Sequence, residues 1–293
     1  MEARVTETLR DDESLRALEE RALPFRALYE HWERTHWGAY DLDFTTDAAS
    51  FAALSEEQRA GFVWIFAHRF HAEFNVARLL APFLAAAPSY DMEVLLASQV
   101  ADEHKHLQCV LRVYEEVFGV RGGVDAVRAL ADRNIDPVAE MLYDALERWV
   151  RALEKDGSEH AFLQAVVAYH LLAEGVIART AQNLAVGQYE ALGDFPGLIE
   201  GQRLVARDEA RHIGIGVSYA RARMEKARDD ALAAIGGVLD NFADLAARGL
   251  ELGKAKLEDI LHDGYGVDAE EFHAEVMRLL HIRLKSIGYL DEA

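Results

Sequence analysis

Hydrophobic residues recur along most of the chain at three- and four-residue intervals, the spacing that places them on one face of a helix. The helix-favouring residues Ala, Leu, Glu and Arg fill these stretches, and the chain contains only five prolines. The pattern therefore predicts an all-α fold. The four longest helices are predicted to run from Ser55 towards Pro82, from about Ser89 to Gly119, from Ser158 to Gly187, and from Pro196 past Met224.

A glutamate followed three residues later by a histidine recurs along these helices, and this spacing puts both side chains on one helix face. The sequence contains four such pairs: Glu33/His36, Glu103/His106, Glu209/His212 and Glu270/His273. Chance matches are expected, because the chain has 12 histidines. The first and last pairs lie at polar helix ends, and we expect them to be solvated. The two middle pairs lie inside long helices beside apolar residues that face a core.

Two single glutamates, Glu73 and Glu174, lie in apolar stretches of the other two long helices. A buried carboxylate is unfavourable unless it is paired or binds a metal. The resulting order, Glu, Glu-x-x-His, Glu, Glu-x-x-His, is the pattern of ferritin-like dinuclear carboxylate proteins. We therefore predict a ferritin-like four-helix bundle with additional helices and a dinuclear metal site in the bundle. Its predicted ligands are Glu73, Glu103, His106, Glu174, Glu209 and His212, with Glu103 and Glu209 bridging and Glu73 and Glu174 terminal.

The predicted ligand set favours iron or manganese, because oxygen donors with limited nitrogen suit these ions better than a structural zinc site. Open coordination positions would remain for dioxygen or a substrate carboxylate. Asp208 either accepts a hydrogen bond from a ligand imidazole or is a surface acid beside neighbouring arginines, and the sequence leaves both interpretations open. We expect His170 to be a packed or hydrogen-bonded residue rather than a further ligand, and Cys109 to be a small core residue.

Charge and composition narrow the functional classes. The formal net charge of −20 argues against a nucleic-acid partner. Residues 1–20 have neither the apolar core of a signal peptide nor the composition of a transit peptide. We expect no apolar run of membrane-spanning length, and the single cysteine suits the cytosol. We predict one domain over residues 1–293, with a bundle core at about 55–228.

With these residues in place, the chain resembles the ribonucleotide-reductase small-subunit superfamily, and within it the small-subunit-like ligand-binding oxidases. The segments LPFRALYE, residues 23–30, and WGAYDLDF, residues 37–44, are similar to the first part of that family. The resemblance covers about Pro24 to Met224.

The resemblance implies a homodimeric oxidase with a centre of one Mn and one Fe. We predict that it reduces dioxygen at a Mn/Fe centre or at a centre of two Fe, and that it is cytoplasmic. The resemblance also implies a long-chain fatty acid or similar apolar ligand bound at the metals, and an ether cross-link between Val76 and Tyr169, with Tyr169 the oxidised side chain. Tyr169 lies five residues before Glu174, well round an α-helix from it, so a local helix bulge or the length of the tyrosine has to close the gap. Trp37 matches a tryptophan on the family's electron route, although the donor is unknown.

Three alternatives remain open. The first is a reductase small subunit without a tyrosyl radical; the expected radical position is occupied by Val110, and residues 272–290 have helical spacing rather than the character of a flexible docking tail. The second is another di-iron oxygenase, such as an arylamine N-oxygenase, which would have a histidine where this chain has Val205. The third is a non-enzymatic iron store or ligand carrier.

Overall fold

Long helices that run side by side make up the centre of the molecule. A computed structural model describes residues 12–135, 137–245 and 269–290, and the regular structure of these ranges is entirely helical, which confirms the all-α prediction. The helices are α1 (Glu13–Glu19), α2 (Phe25–Arg34), α3 (Thr45–Ala53), α4 (Glu56–Ala85), α5 (Tyr90–Arg112), α6 (Gly123–Ala131), α7 (Pro137–Asp156), α8 (Glu159–Leu192), α9 (Pro196–Lys226), α10 (228–245) and α11 (Ala269–Ser286).

Two stretches of helix are wound more widely than an α-helix. The middle of α8, Val167–Ala178, is a π-helix, and a π-helical turn, Val113–Val117, continues α5. A short 3₁₀ turn, Ala39–Asp41, links α2 to α3. The prediction of one domain over residues 1–293 includes segments outside the described ranges and stays a prediction, as does the absence of a signal peptide in residues 1–20.

Helices α4, α5, α8 and α9 form the predicted four-helix core. α4 packs along α5, and α9 packs along the π-helical part of α8 and also contacts α5. α4 and α9 have 30 and 31 residues and are α-helical throughout. At about 1.5 Å per residue each spans roughly 45 Å, the length of a whole domain.

Serine caps begin three of the four core helices, as the sequence predicts. The hydroxyl of Ser55 accepts a hydrogen bond from the backbone N–H of Gln58, whose side chain accepts one from the Ser55 N–H in return. The hydroxyls of Ser89 and Ser158 each accept a hydrogen bond from the N–H three residues on. Such caps satisfy backbone donors that the helix itself leaves free.

The first and last described helices clamp the bundle through a buried ion network. Arg283 of α11 donates to the carboxylate of Glu19 in α1 and, from Nε, to the carbonyl oxygen of Gly175 at 3.0 Å. Arg179 of α8 contacts the other Glu19 oxygen at 2.7 Å. All three charged side chains are buried. The C-terminal helix is therefore anchored to the backbone immediately after Glu174, which agrees with its helical rather than tail-like spacing.

Two apolar clusters fill the interior and meet at the predicted ligands. In α4 the residues up to Phe70 belong to one cluster, and those from Leu80 onwards to the other. In α5 the division falls between Leu96 and Cys109. Glu73, Glu103 and His106 lie at this boundary, so the carboxylates and imidazoles sit between two water-excluding regions.

One helix of the described ranges, α8, is long and apolar enough to cross a membrane by length and composition. The expectation that no run of this kind exists was therefore wrong. However, 78% of the apolar window is buried inside the fold. A helix that is apolar all round occurs either in a membrane or in the core of a large bundle, and the burial of α8 is that of a central bundle helix.

We expect replacement of Arg283 by methionine to lower the free energy of unfolding by about 3–5 kcal/mol, because removing one partner of a buried ion network leaves the other charge uncompensated. Urea denaturation of the metal-free protein measures this change. The control is Arg151→Met, which removes an exposed pair with Glu147 on α7 and should have a much smaller effect. Equal losses in the two variants would contradict the role assigned to Arg283.

Candidate metal centre

The six predicted ligands come together in the middle of the bundle, one element from each core helix. α4 contributes Glu73, and α8 contributes Glu174. α5 and α9 each contribute a Glu-x-x-His pair. All six side chains are buried, and both histidines are fully inaccessible to solvent. The Glu-x-x-His spacing puts both side chains of a pair on one helix face. In the folded protein that face is the one that points into the centre of the bundle.

The donor atoms form two overlapping groups. One consists of Glu73, Glu103, His106 and Glu209, and the other of Glu103, Glu174, Glu209 and His212; within each group the donor atoms lie within 4.8 Å of one another. Glu103 and Glu209 belong to both groups. Each of these two carboxylates directs one oxygen towards each histidine, whereas Glu73 and Glu174 belong to one group each.

The distances between donor atoms show how the two shared carboxylates are placed. The Nδ1 atom of His106 lies 3.6 Å from oxygens of Glu103 and Glu209, and 3.6 Å from Glu73. The Nδ1 atom of His212 lies 3.2 Å from Glu103 and 3.6 Å from Glu209, with Glu174 at 3.7 Å. The other oxygen of each shared carboxylate is the one that faces the second histidine. This is the arrangement in which Glu103 and Glu209 can bridge two ions.

Buried donor atoms without hydrogen-bond partners test whether metal ions fit this cluster. Such atoms occur on all six side chains and include Nδ1 of both histidines and both oxygens of Glu103. Buried polar groups are normally satisfied. Two donors bound at 2.0–2.2 Å to one ion lie at most about 4.4 Å apart, close to the spread within each group. Four carboxylates also balance the charge of two divalent ions, so the residues fit a dinuclear centre.

The charges of the metal-free cluster are strongly coupled. Burial, with Glu103 and Glu209 nearby, raises the pKa of Glu73 to about 7, and burial raises the pKa of Glu174 well above its usual range. Burial alone would lower the pKa of His106 and of His212, but hydrogen bonds and ion pairs with the surrounding carboxylates outweigh it and raise both well above the ordinary value. The site therefore holds protons at neutral pH that metal ions must displace.

Each histidine turns its second ring nitrogen towards an aspartate. Nε2 of His106 donates to Asp208 at 3.2 Å, and Nε2 of His212 donates to Asp102 at 3.3 Å. Each aspartate directly precedes the glutamate of the opposite Glu-x-x-His pair. A partner of this kind fixes the tautomer and leaves Nδ1 free for a metal. Of the two interpretations left open for Asp208, the structure supports the hydrogen-bonded one.

The two aspartates belong to a larger network that the sequence analysis missed in part. The indole N–H of Trp37 donates to Asp208 at 2.7 Å, and that of Trp32 donates to Asp102 at 3.0 Å. Lys105 lies 2.8 Å from both aspartates. Trp32, Asp102 and Lys105 were not predicted. The motif Asp-Glu-x-x-His occurs at both 102–106 and 208–212. This repeat could have indicated that Asp102 has the same role as Asp208.

His170 takes part in the site without belonging to either donor group. Its Nε2 donates to the side-chain oxygen of Gln99 at 3.0 Å, and the Gln99 amide donates to Glu174 at 3.0 Å. Burial lowers the pKa of His170 to about 3, so the ring is neutral. The expectation of a hydrogen-bonded His170 agrees with this geometry. Gln99 itself was not predicted.

The π-helical part of α8 changes the relation between Tyr169 and Glu174. In a π-helix, hydrogen bonds join residues five apart along the backbone, so these two residues are separated by one turn. This is the local bulge that their five-residue spacing requires. The Tyr169 hydroxyl is buried without a hydrogen-bond partner, and burial and then the four carboxylates raise its pKa well above the ordinary value. Val76 is half-buried and packs against the apolar cluster that contains Tyr169.

The remaining candidates lie where the sequence suggested. The Glu33/His36 and Glu270/His273 pairs are exposed. Cys109 is buried, and burial raises the pKa of its thiol to about 11, which is the behaviour of a core residue rather than a reactive one.

The fold and site together define a class: a four-helix bundle with two overlapping carboxylate–imidazole groups at its centre. The sequence matches no protein-family model. Solved structures of R2-like ligand-binding oxidases have the same fold. The chain is similar to the one from Sulfolobus acidocaldarius, with 20% sequence identity, a TM-score of 0.75 and 90% of each chain covered.

Two further similar structures are variants of an R2-like ligand-binding oxidase, one with an anaerobically and one with an aerobically reconstituted Mn/Fe cofactor. Each has 21% sequence identity and a TM-score of 0.77, with 90% of this chain and 93% of the other covered. At these identities the similarity establishes the ferritin-like fold. The resemblance inferred from the sequence is confirmed at that level.

We expect metal loading at pH 7 to release protons, because burial raises the pKa values of Glu73 and Glu174, and the surrounding carboxylates raise those of both histidines. Calorimetric titration with Mn(II) in buffers of different ionisation enthalpy measures the release. Apparent affinity should fall as the pH falls below 7, since more protons then compete with the ions. Heats that do not depend on the buffer would contradict the assigned protonation states.

Proposed function

We propose that the chain is a dinuclear metal oxidase that reduces dioxygen at a Mn/Fe or Fe/Fe centre. The observation that carries this proposal is the pair of donor groups that share Glu103 and Glu209, since two shared carboxylates and one imidazole on each side suit two adjacent ions. Glu73 and Glu174 complete the set as terminal ligands. The Mn/Fe cofactor of the structurally similar oxidases supports this choice of metals.

In this proposal the surrounding residues position the ligands and exclude water. Asp208 and Asp102 hold the two imidazoles with Nδ1 towards the ions, and Gln99 orients Glu174. The apolar clusters on either side keep solvent away from the reacting groups. Two redox-active ions bound here would supply electrons and open coordination positions for dioxygen. Trp37, hydrogen-bonded to Asp208, is suited to deliver electrons from a donor that is not yet identified.

The proposed oxidation target within the protein is the Val76/Tyr169 pair. An ether bond between the tertiary Cβ of Val76 and the hydroxyl oxygen of Tyr169 would remove one hydrogen from each, that is, two electrons and two protons. Dioxygen is the oxidant; with two further electrons from the metal ions and two solvent protons, it is reduced to two waters. Support comes from the unpartnered Tyr169 hydroxyl and from the π-helical turn that relates Tyr169 to Glu174.

The proposal extends to a bound ligand and to the assembly state. An apolar ligand such as a long-chain fatty acid would bind at the metals by its carboxylate, next to the apolar interior. The name of the similar proteins, ligand-binding oxidases, supports a bound ligand. A homodimer, a cytosolic location and the absence of a nucleic-acid partner stay predictions.

Mass spectrometry tests the proposal. We expect protein loaded anaerobically with Mn(II) and Fe(II) to lose two hydrogens after exposure to air, and a peptide pair joining Val76 to Tyr169 to appear. Tyr169→Phe should abolish the cross-link, because it removes the bridging oxygen. Tyr114→Phe is the matched control, since Tyr114 is also fully buried with an unpartnered hydroxyl and should leave the cross-link unchanged.

The other outcomes separate the alternatives. Metal binding without a mass change in air would contradict the cross-link and favour a reductase small subunit without a tyrosyl radical, which should then associate with a large catalytic subunit. Oxidation of added substrate without the cross-link would favour another di-iron oxygenase. Metal uptake without dioxygen consumption would favour storage or ligand transport.

A further inference from the structure

The two halves of the candidate metal centre are related by an approximate two-fold repeat, but the residues that support their terminal glutamates differ. Gln99 lies four residues before Glu103, and the equivalent position before Glu209 is Val205. In the same way, His170 lies four residues before Glu174, and Arg69 lies four residues before Glu73. One half therefore has a polar pair where the other has an apolar residue and an arginine.

The polar pair is a directed chain of hydrogen bonds that ends on Glu174. Gln99 is fully buried, and its amide N–H donates to the carboxylate at 3.0 Å. The N–H at Nε2 of the neutral His170 ring donates to the Gln99 oxygen, also at 3.0 Å. The amide oxygen faces the imidazole, and the amide nitrogen faces Glu174. The histidine thus sets the orientation of the glutamine, and the glutamine sets the orientation of the carboxylate.

Close packing holds the His170 ring in place. A Cβ atom added at Gly216 would lie 2.5 Å from the Cβ of His170, so only glycine leaves room for the histidine at this helix crossing. On another side the ring packs edge-on against Phe83, with the ring centroids 5.6 Å apart. With one neighbour at contact distance and another bonded at 3.0 Å, the imidazole has little freedom to turn.

In the opposite half, no glutamine of the described part of the chain donates to the Glu73 carboxylate as Gln99 donates to Glu174. Glu73 and His106 border a cavity of about 20 Å³, enough for a water molecule, which Arg69 and Gln202 also line. The Gln202 side chain is 2% exposed, and both of its polar atoms lack a hydrogen-bond partner. The Glu73 carboxylate therefore lies beside a cavity, whereas the Glu174 carboxylate accepts a hydrogen bond from Gln99.

We propose that Gln99 and His170 are positioning residues that hold Glu174 in its metal-binding orientation, so that the Glu174/His212 position binds metal more tightly and fills before the Glu73/His106 position. This inference rests on the dinuclear centre proposed above and adds an order of filling to it. A carboxylate held by a donor loses less freedom when it binds an ion, whereas Glu73 has to be ordered by the ion itself. Loss of a hydrogen-bond partner behind a ligand typically lowers metal affinity about 10–100-fold.

Two single-site backgrounds test the proposal. Glu73→Ala leaves the Glu174/His212 position, and Glu174→Ala leaves the Glu73/His106 position. Anaerobic Mn(II) titration, followed by the paramagnetic resonance of free Mn(II), gives the affinity of each. We expect tighter binding in the Glu73→Ala background. Added there, Gln99→Leu should weaken binding about 10–100-fold, and in the Glu174→Ala background it should change binding less than twofold.

Two further variants separate positioning from a general loss of structure. His170→Phe keeps an aromatic ring in the packed position but removes the donor to Gln99, so it should weaken the same position selectively. Val205→Ala, at the equivalent site of the other half, is the matched control and should leave the Glu174/His212 affinity unchanged. The unfolding midpoint of each metal-free variant shows whether the fold is retained.

The outcomes distinguish this inference from the proposed function. If Gln99→Leu weakens both positions equally, or neither, while the wild type binds two ions, the positioning role is wrong and the dinuclear centre stands. Tighter binding in the Glu174→Ala background would also overturn the order of filling. If the wild-type protein binds no Mn(II) or Fe(II), the dinuclear centre itself fails, and the positioning role fails with it.

Discussion

The burial of four carboxylates around two imidazoles is the constraint on which the rest of the structure depends. The packing of the helices does not by itself satisfy these groups, since donor atoms on all six side chains lack hydrogen-bond partners. The metal-free site therefore retains protons on groups that would otherwise be ionised. Around it the protein fixes what it can: aspartates orient the imidazoles, tryptophans and Lys105 hold the aspartates, and two apolar clusters exclude water. The bundle is preorganised for ions that supply the missing contacts.

The sequence predicts which side chains come together at the candidate metal centre because helical periodicity is a local property. A three-residue spacing puts Glu103 and His106 on one face whatever the fold around them, and a serine cap such as Ser55 acts on its own helix. Contacts between distant helices are different. The hydrogen bond from Trp32 to Asp102 joins residues 70 positions apart, so it depends on helix packing that no local pattern encodes. The apolar composition of α8 likewise does not distinguish a buried helix from a membrane-spanning one, because burial and membrane insertion favour the same residues.

The repeat that makes the site recognisable also hides its asymmetry. The Glu and Glu-x-x-His elements are equivalent in the two halves, and so are the Asp102 and Asp208 hydrogen bonds. The difference lies one turn further from the ions, where Gln99 and His170 stand against Val205 and Arg69. Two positions with the same ligands thereby have different surroundings. If the centre binds two different metals, or leaves coordination positions open on only one ion, this difference in surroundings would make the two metal positions inequivalent.

The π-helical part of α8 constrains how this sequence can vary. A π-helical turn accommodates an extra residue relative to an α-helix, and restoring α-helical winding would rotate everything on one side of it by about 100°. Tyr169 and His170 precede Glu174 within this segment, whereas Arg179, which contacts Glu19, follows it. Restoring α-helical winding while keeping every residue between 167 and 178 would therefore put these groups out of phase. Substitutions in this segment are therefore tolerated only when the π-helical winding is kept, which restricts the sequence here more than in a regular α-helix.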